Sequence, residues 1–208
     1  MEQSMNRQFA LLTSVALGAT VLRMSPAAAA GPASQEIQFY GGEIFGDRLT
    51  QTTISGSTPR FNDSATLGGR YTFNYTDTWG LQLSAGYSPG RAGHVSSGDS
   101  SFGLTTVDLD GVWNFNPGYK VVGYAVAGLG YAWANLDREI LGSAGGTLVT
   151  ITGSNGYTAN AGLGAKYYLT DNLFLDLDTR YRYFSKLLSN YGQGVNTVET
   201  TLGAGWRF

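Results

Sequence analysis

The strongest constraint on the fold is a side-chain alternation of period two that recurs along the chain and continues to its last residue. In Thr197–Phe208, Val198, Thr200, Leu202, Ala204, Trp206 and Phe208 fall on one face. Thr197, Glu199, Thr201, Gly203, Gly205 and Arg207 fall on the other. Successive side chains of a strand point to opposite faces, so this segment is an amphipathic strand with one apolar wall. A solvated, fraying terminus gains little from Trp and Phe. A strand that closes a barrel against lipid does gain.

Seven further segments carry the same period. Leu173–Phe184 sets Leu173, Leu175, Leu177, Tyr181 and Tyr183 against Asp176, Asp178, Arg180 and Arg182. Tyr157–Leu169 sets Tyr157, Leu163 and Tyr167 against Asn160 and Lys166. Ala65–Tyr75, Trp79–Tyr87 and Phe102–Phe115 alternate likewise, with Arg70, Gln82, Ser84, Thr106, Asp108 and Asp110 on their polar faces. Val121–Asn135 is rich in small residues, and Leu129, Tyr131 and Trp133 mark its outward face. In Ile37–Phe45 the pair Gly41-Gly42 blurs the phase, and a bulge is expected there. Strands of about 9–11 residues suffice to cross a bilayer when tilted.

The connections alternate in length. Gly46–Ser64, Ser88–Ser101, Asp137–Asn155 and Lys186–Val195 are long, while Asn74–Thr78, Asn116–Tyr119 and Thr170–Asn172 are short. Tight periplasmic turns and long external loops are the habit of outer-membrane barrels. Only 13% of residues are charged, against about 25% in soluble domains, while 30 Gly and 13% aromatic residues are present. So few charges could not cover a water-facing exterior. A soluble barrel of the lipocalin type, with the apolar face turned inward, is therefore disfavoured. Bulky rings also gather near strand ends. Phe73, Tyr75, Trp79, Trp113, Phe115, Tyr167, Trp206 and Phe208 lie at the short-turn end, and Tyr87, Trp133, Tyr157 and Tyr183 towards the other. Two belts are expected where rings sit at lipid headgroups, with Trp79, Trp113, Trp133 and Tyr167 as interface markers. The fold expected is all-β, an eight-stranded antiparallel up-and-down transmembrane β-barrel over residues 31–208.

At the N-terminus, Arg7 precedes an apolar run from Phe9 to Leu22, and Ala27–Ala30 supply small residues. This order predicts a secretory signal peptide over residues 1–30, cleaved after Ala30. The chain has no cysteine, so no disulfide framework is available. A formal net charge of −2 without a basic cluster excludes nucleic acid as a partner.

The chain resembles the eight-stranded barrel domain of the OmpA/OprF type, which overlaps with the opacity-like surface antigens. The resemblance is carried by Leu104–Asp108, Tyr124–Tyr131, Ala159–Asn172 and the terminal Gly205-Trp206-Arg207-Phe208, with a weaker echo in Thr66–Phe73. It implies a Gram-negative outer-membrane location, lipid and lipopolysaccharide around the wall, and a monomer. It also implies recognition of the last strand by the barrel-assembly machinery, through Thr201, Gly203, Trp206 and Phe208. The peptidoglycan-binding domain of the larger relatives does not follow the barrel in this sequence, so cell-wall anchoring is not carried over.

Eight strands leave an interior just wide enough for side chains. The inward candidates are Gln38, Gln82, Ser84, Thr106 and Asn160 with a charge network of Arg70, Asp108, Asp110, Lys166, Asp176, Asp178, Arg180, Arg182, Glu199 and Arg207. A polar, water-containing lumen plugged by these pairs is expected, serving envelope structure with limited porin-like ion permeation. Adhesion through the external loops is the alternative. A lipid A-modifying enzyme is a remote third: His94 and Ser96 could share a face of an extended segment, with Asp108 as the acid. No catalytic residue is assigned on that basis. One histidine and no cysteine support neither a metal centre nor a cofactor.

Overall fold

The computed structural model describes residues 34–46, 60–61, 63–93, 100–136, 140–144, 147–187, 189 and 194–208. Among the described residues eleven strands form: β1 Ser34–Phe45, β2 Arg60–Phe61, β3 Ser64–Asn74, β4 Trp79–Gly93, β5 Ser100–Asn114, β6 Val121–Leu136, β7 Ile140–Ala144, β8 Thr147–Ile151, β9 Asn155–Tyr168, β10 Leu173–Phe184 and β11 Val195–Arg207. The eight long strands pair antiparallel in the circular order β1, β3, β4, β5, β6, β9, β10, β11 and back to β1, which closes an all-β barrel. Closure removes every edge, so each backbone donor and acceptor of the wall finds a neighbour without water. All eight strands expected from the alternation are present. The short β2 adds to the far end of β4, and β7 pairs with β8 as a separate hairpin.

Three tight connections, Tyr75–Thr78, Phe115–Lys120 and Leu169–Asn172, lie at the end where β1 begins and β11 stops. There Gln35 and Phe208 exchange two backbone hydrogen bonds of 2.9 Å. Two of these turns share a Thr-Asp start and a common cause. Thr76 Oγ1 accepts from the Trp79 amide and Thr170 Oγ1 from the Leu173 amide, each at 2.9 Å. Such a hydroxyl stands in for a turn carbonyl.

Two expectations are corrected. The bulge expected at Gly41-Gly42 is absent, because β1 keeps unbroken register with both β3 and β11 through Gly41↔Leu202 and Gly42↔Thr201. The phase therefore continues, with Tyr40 and Ile44 buried and Phe39 exposed. The segment 88–101 is less of a loop than Pro89 and Gly90 imply. β4 runs on to Gly93, paired with β5 through Pro89↔Gly103. Its pairing with β3 ends at Leu67↔Tyr87, so Pro89 sits where β4 has β5 alone beside it and a missing N–H is tolerated.

The wall is inverted relative to a soluble barrel. Outward Leu129 is 70% exposed and Phe39 73%, whereas inward Asp176 and Arg180 are 0% exposed. That contrast decides against the lipocalin-type reading.

Candidate functional site

Strand β10 builds the centre of the lumen. Its pleat sends Asp176, Asp178, Arg180 and Arg182 inward in succession. Like signs adjacent on one strand, and a carboxylate beside a guanidinium, can be buried only if other strands supply partners. They do. Arg180 Nη1 meets Asp110 of β5 and its Nε meets Asp178, both at 2.7 Å, while Nη2 donates to Gln82 Oε1 of β4 at 2.6 Å. Arg182 pairs with Asp108 of β5 and Glu199 of β11, each at 2.5 Å. Arg70 of β3 reaches Asp176 at 3.3 Å and Asp178 at 3.2 Å. Lys166 of β9 pairs with Glu36 of β1.

Neutral donors complete the set, because the carboxylates outnumber the cations. The Tyr124 hydroxyl lies 3.0 Å from both Asp176 oxygens and 2.8 Å from Asp178 Oδ2. Gln38 Nε2 donates to Asp176 at 2.6 Å, Asn160 Nδ2 to Asp110 at 2.8 Å and Thr158 Oγ1 to Asp108 at 2.7 Å. Tyr168 donates to Glu36 at 3.0 Å, and Arg70 stacks over the Tyr40 ring at 4.2 Å. Arg70 Nε, Asn160 Oδ1 and Thr197 Oγ1 are buried without a protein partner.

Glycine makes room for this network. Asp108 and Asp110 stand opposite Gly130 and Gly128 in the register of β5 with β6. A Cβ on either glycine would fall on the facing carboxylate.

The structure brings together nine of the ten residues expected in the network: Arg70, Asp108, Asp110, Lys166, Asp176, Asp178, Arg180, Arg182 and Glu199. Arg207 is the exception. It sits at the rim, its guanidinium 4.8 Å over the Tyr168 ring and donating to the Asp171 carbonyl at 2.7 Å. The barrel wall ends with β11 there, so the side chain folds over the opening instead of entering it. Glu36, Tyr40, Tyr124 and Tyr168 belong to the lumen but were absent from the inward candidates.

Apolar side chains flank the Asp–Arg network, and at the short-turn end they surround the Lys166–Glu36 pair. Val122, Tyr168 and Phe174 cluster at the short-turn end, next to Val112, Tyr124 and Val126. At the opposite end Ile44, Leu104, Phe184, Leu187 and Val195 are buried.

On the outside, Trp79 and Trp113 stack at 5.8 Å, and Lys120 lies 5.1 Å from the Tyr167 ring. Trp133 and Tyr157 each pack edge-on to Tyr131 at the other end. Trp206 of β11 and Phe208 just past it are exposed while Thr201 is buried, its Oγ1 accepting from Arg70 at 3.1 Å. Gly203 also points inward, against the Gln38 side chain. Asp108, weighed above as the acid of an enzymatic set, is bonded to Arg182 and Thr158; His94 and Ser96 lie outside the described residues.

Residues 14–208 match the family model described as the outer membrane protein beta-barrel domain. Outer membrane protein PagN of Salmonella typhimurium is 32% identical over 79 residues, which are 38% of this chain and 33% of PagN. The chain thus spans about a third of the length of this curated relative. Among solved structures, OprG of Pseudomonas aeruginosa aligns with a TM-score of 0.56 at 14% identity, covering 86% of this chain and 98% of OprG. Neisserial surface protein A aligns at 0.54 and 18% identity, covering 83% and 95%. The location is the outer membrane of a Gram-negative bacterium.

Proposed function

Since the chain belongs to the outer membrane protein beta-barrel domain family, we propose that it works as a closed membrane scaffold of the envelope that passes ions only when pairs inside the lumen rearrange. The observation that carries this reading is the Arg180 side chain, 0% exposed and bonded at once to Asp110, Asp178 and Gln82. A guanidinium held by three strands occupies the cross-section an ion would need. The apolar layers at both ends add constrictions that disfavour a continuous water column. Residues 1–30 act as the cleaved export signal in this reading. The face of β11 bearing Trp206 and Phe208, with Thr201 and Gly203 behind it, is what the assembly machinery engages, and the barrel is a monomer.

Planar-bilayer recording of the refolded barrel tests the proposal. Wild type should show rare, small openings, and Arg180→Gln with Arg182→Gln should raise their frequency or size. Large steady currents in wild type, or a conductance unmoved by both substitutions, would overturn it.

A second reading, recognition through the external rim, is favoured by strand length. β6 runs for 16 residues and β4 and β5 for 15 each, beyond the roughly 9–11 that cross a bilayer. The β7–β8 hairpin adds ordered surface beside them. Binding of intact cells to host-surface glycans or proteins, lost when residues 140–151 are replaced by a short linker, would support it.

A further inference from the structure

Among the described residues, six carboxylates and four cationic side chains are buried in the lumen. Part of that surplus of negative charge gathers around Arg182, the last inward charge of β10 before Phe184. Its guanidinium meets Asp108 of β5 through Nη1 and Glu199 of β11 through Nε, each at 2.5 Å. One guanidinium binds both carboxylates at once, which sets them across a seat of its own width. Two negative charges share one positive charge there, and neutral hydrogen-bond donors do not offset the remainder.

Unused oxygens lie on both sides of the same residue. In the strand ladders Arg182 stands opposite Asn160 of β9 and Thr197 of β11. Both side chains are inward, 5% and 2% exposed, and Asn160 Oδ1 and Thr197 Oγ1 lack a protein partner. Turning the Asn160 amide would not cure this. Its Nδ2 donates to Asp110 Oδ1 at 2.8 Å, and a carboxylate only accepts. Arg182 is thus surrounded by oxygens, two charged and two neutral. Water would bond the neutral pair and leave the charge surplus as it is.

We infer that the Arg182 guanidinium is a tethered occupant of a cation site, and that a small inorganic cation takes its place when the side chain swings out. The vacated volume admits such an ion with part of its water. The lumen therefore passes cations and rejects anions, as carboxylate-lined constrictions do. This passage rests on the function proposed above; the site does not. Arg182 lies on the long-loop side of Asp176, Asp178 and Arg180, so an ion entering from outside meets it first among the charges of β10.

Urea unfolding in lipid vesicles tests the site without any current. Arg182→Gln empties the seat. That barrel should unfold at higher urea in potassium chloride than in choline chloride of equal ionic strength, since choline is too bulky to enter and a ligand held only by the folded state stabilises it. Wild type should show no such difference. Adding Asp108→Asn and Glu199→Gln should abolish it, and adding Glu43→Gln, exposed on the outer face of β1, should not. Heat-sensitive gel mobility confirms that each variant closes. In planar bilayers under a potassium chloride gradient, the current of the Arg180→Gln, Arg182→Gln barrel should reverse towards the potassium equilibrium potential. Equal midpoints in the two salts for Arg182→Gln, or a difference that wild type shares or the triple variant keeps, overturns the site and leaves these oxygens to water. Reversal on the chloride side overturns the selectivity. A barrel silent in every variant defeats the function proposed above, and the urea comparison still decides the site.

Discussion

Arg180 Nη2 donates to Gln82 Oε1 at 2.6 Å, and this bond crosses the full width of the lumen. Strands β10 and β4 are four steps apart whichever way the ring is followed, so no pair of strands in the barrel lies farther apart. A side chain that bridges them makes the interior a solid core. The polar interior therefore holds opposite walls together, as apolar packing does in a soluble domain. It also means that burial of charge here depends on every partner being in place.

Removing one partner should show that dependence. Arg180→Gln keeps a hydrogen-bonding group but leaves Asp110 and Asp178 without their shared cation. Breaking a buried pair from one side costs about 3–5 kcal/mol, and adding Asp110→Asn should return part of it. Urea unfolding of the barrel in lipid vesicles, followed by tryptophan fluorescence, measures both. A double variant as unstable as the single would mean that Asp110 gains nothing from Arg180.

The fold was legible because lipid forces a strict rule on every wall residue. Leu173–Phe184 shows it most clearly: four alternate charges cannot face hydrocarbon, so the phase of β10 follows from them alone. The lumen was less legible for a related reason. Period two distinguishes the faces but does not distinguish an inward tyrosine from an outward one. Tyr40, Tyr124 and Tyr168 carry rings that read as lipid-facing, yet the hydroxyls of Tyr124 and Tyr168 serve carboxylates inside and the Tyr40 ring lies under Arg70. Phe174 and Phe184 share the phase of Asp176 and Arg182, which was the available sign that apolar layers cap the network. Glu36 lay one residue before the strand start taken at Ile37. Which cation meets which carboxylate depends on strands that are remote in sequence, such as Arg70 and Asp178, and no local pattern encodes that pairing.

Glycines of the two faces should behave oppositely. Gly130 points at Asp108, and a Cβ there would also press on Thr158 Oγ1 at 2.8 Å. Outward Gly111 would meet nothing nearer than the Ala127 carbonyl at 3.8 Å. Gly130→Ala is expected to cost about 1–3 kcal/mol through overpacking. Gly111→Ala should be neutral or stabilising by up to about 1 kcal/mol, because it restricts the unfolded chain. Equal effects in the same unfolding assay would contradict the assigned faces.

The exterior can be probed by charge. Leu129 lies midway along β6, between Leu109 of β5 and Ala159 of β9. Leu129→Arg should destabilise the barrel by about 2–4 kcal/mol if that position sits near the bilayer midplane. Asn135→Arg, exposed on the same outward face at the far end of the strand, should cost about 0–1 kcal/mol. Refolding yields into vesicles, compared at matched urea, separate the two, and equal losses at both positions would be inconsistent with a transmembrane β6.

Tyr124 tests whether the neutral donors matter as much as the ion pairs. Its hydroxyl is 3.0 Å from Asp176 and 2.8 Å from Asp178 Oδ2, while Arg180 holds Asp178 Oδ1. Tyr124→Phe keeps the ring that packs against Val112 and Val126 and removes only the donor. A buried acceptor left unpaired costs about 1–3 kcal/mol. Asp176→Asn lowers the demand for that donor, because the amide no longer carries a charge beside Asp178. The loss from Tyr124→Phe should therefore shrink by about 0.5–3 kcal/mol in the Asp176→Asn background. Strict additivity of the two substitutions would show that the hydroxyl acts on the barrel by packing and not by holding the two aspartates.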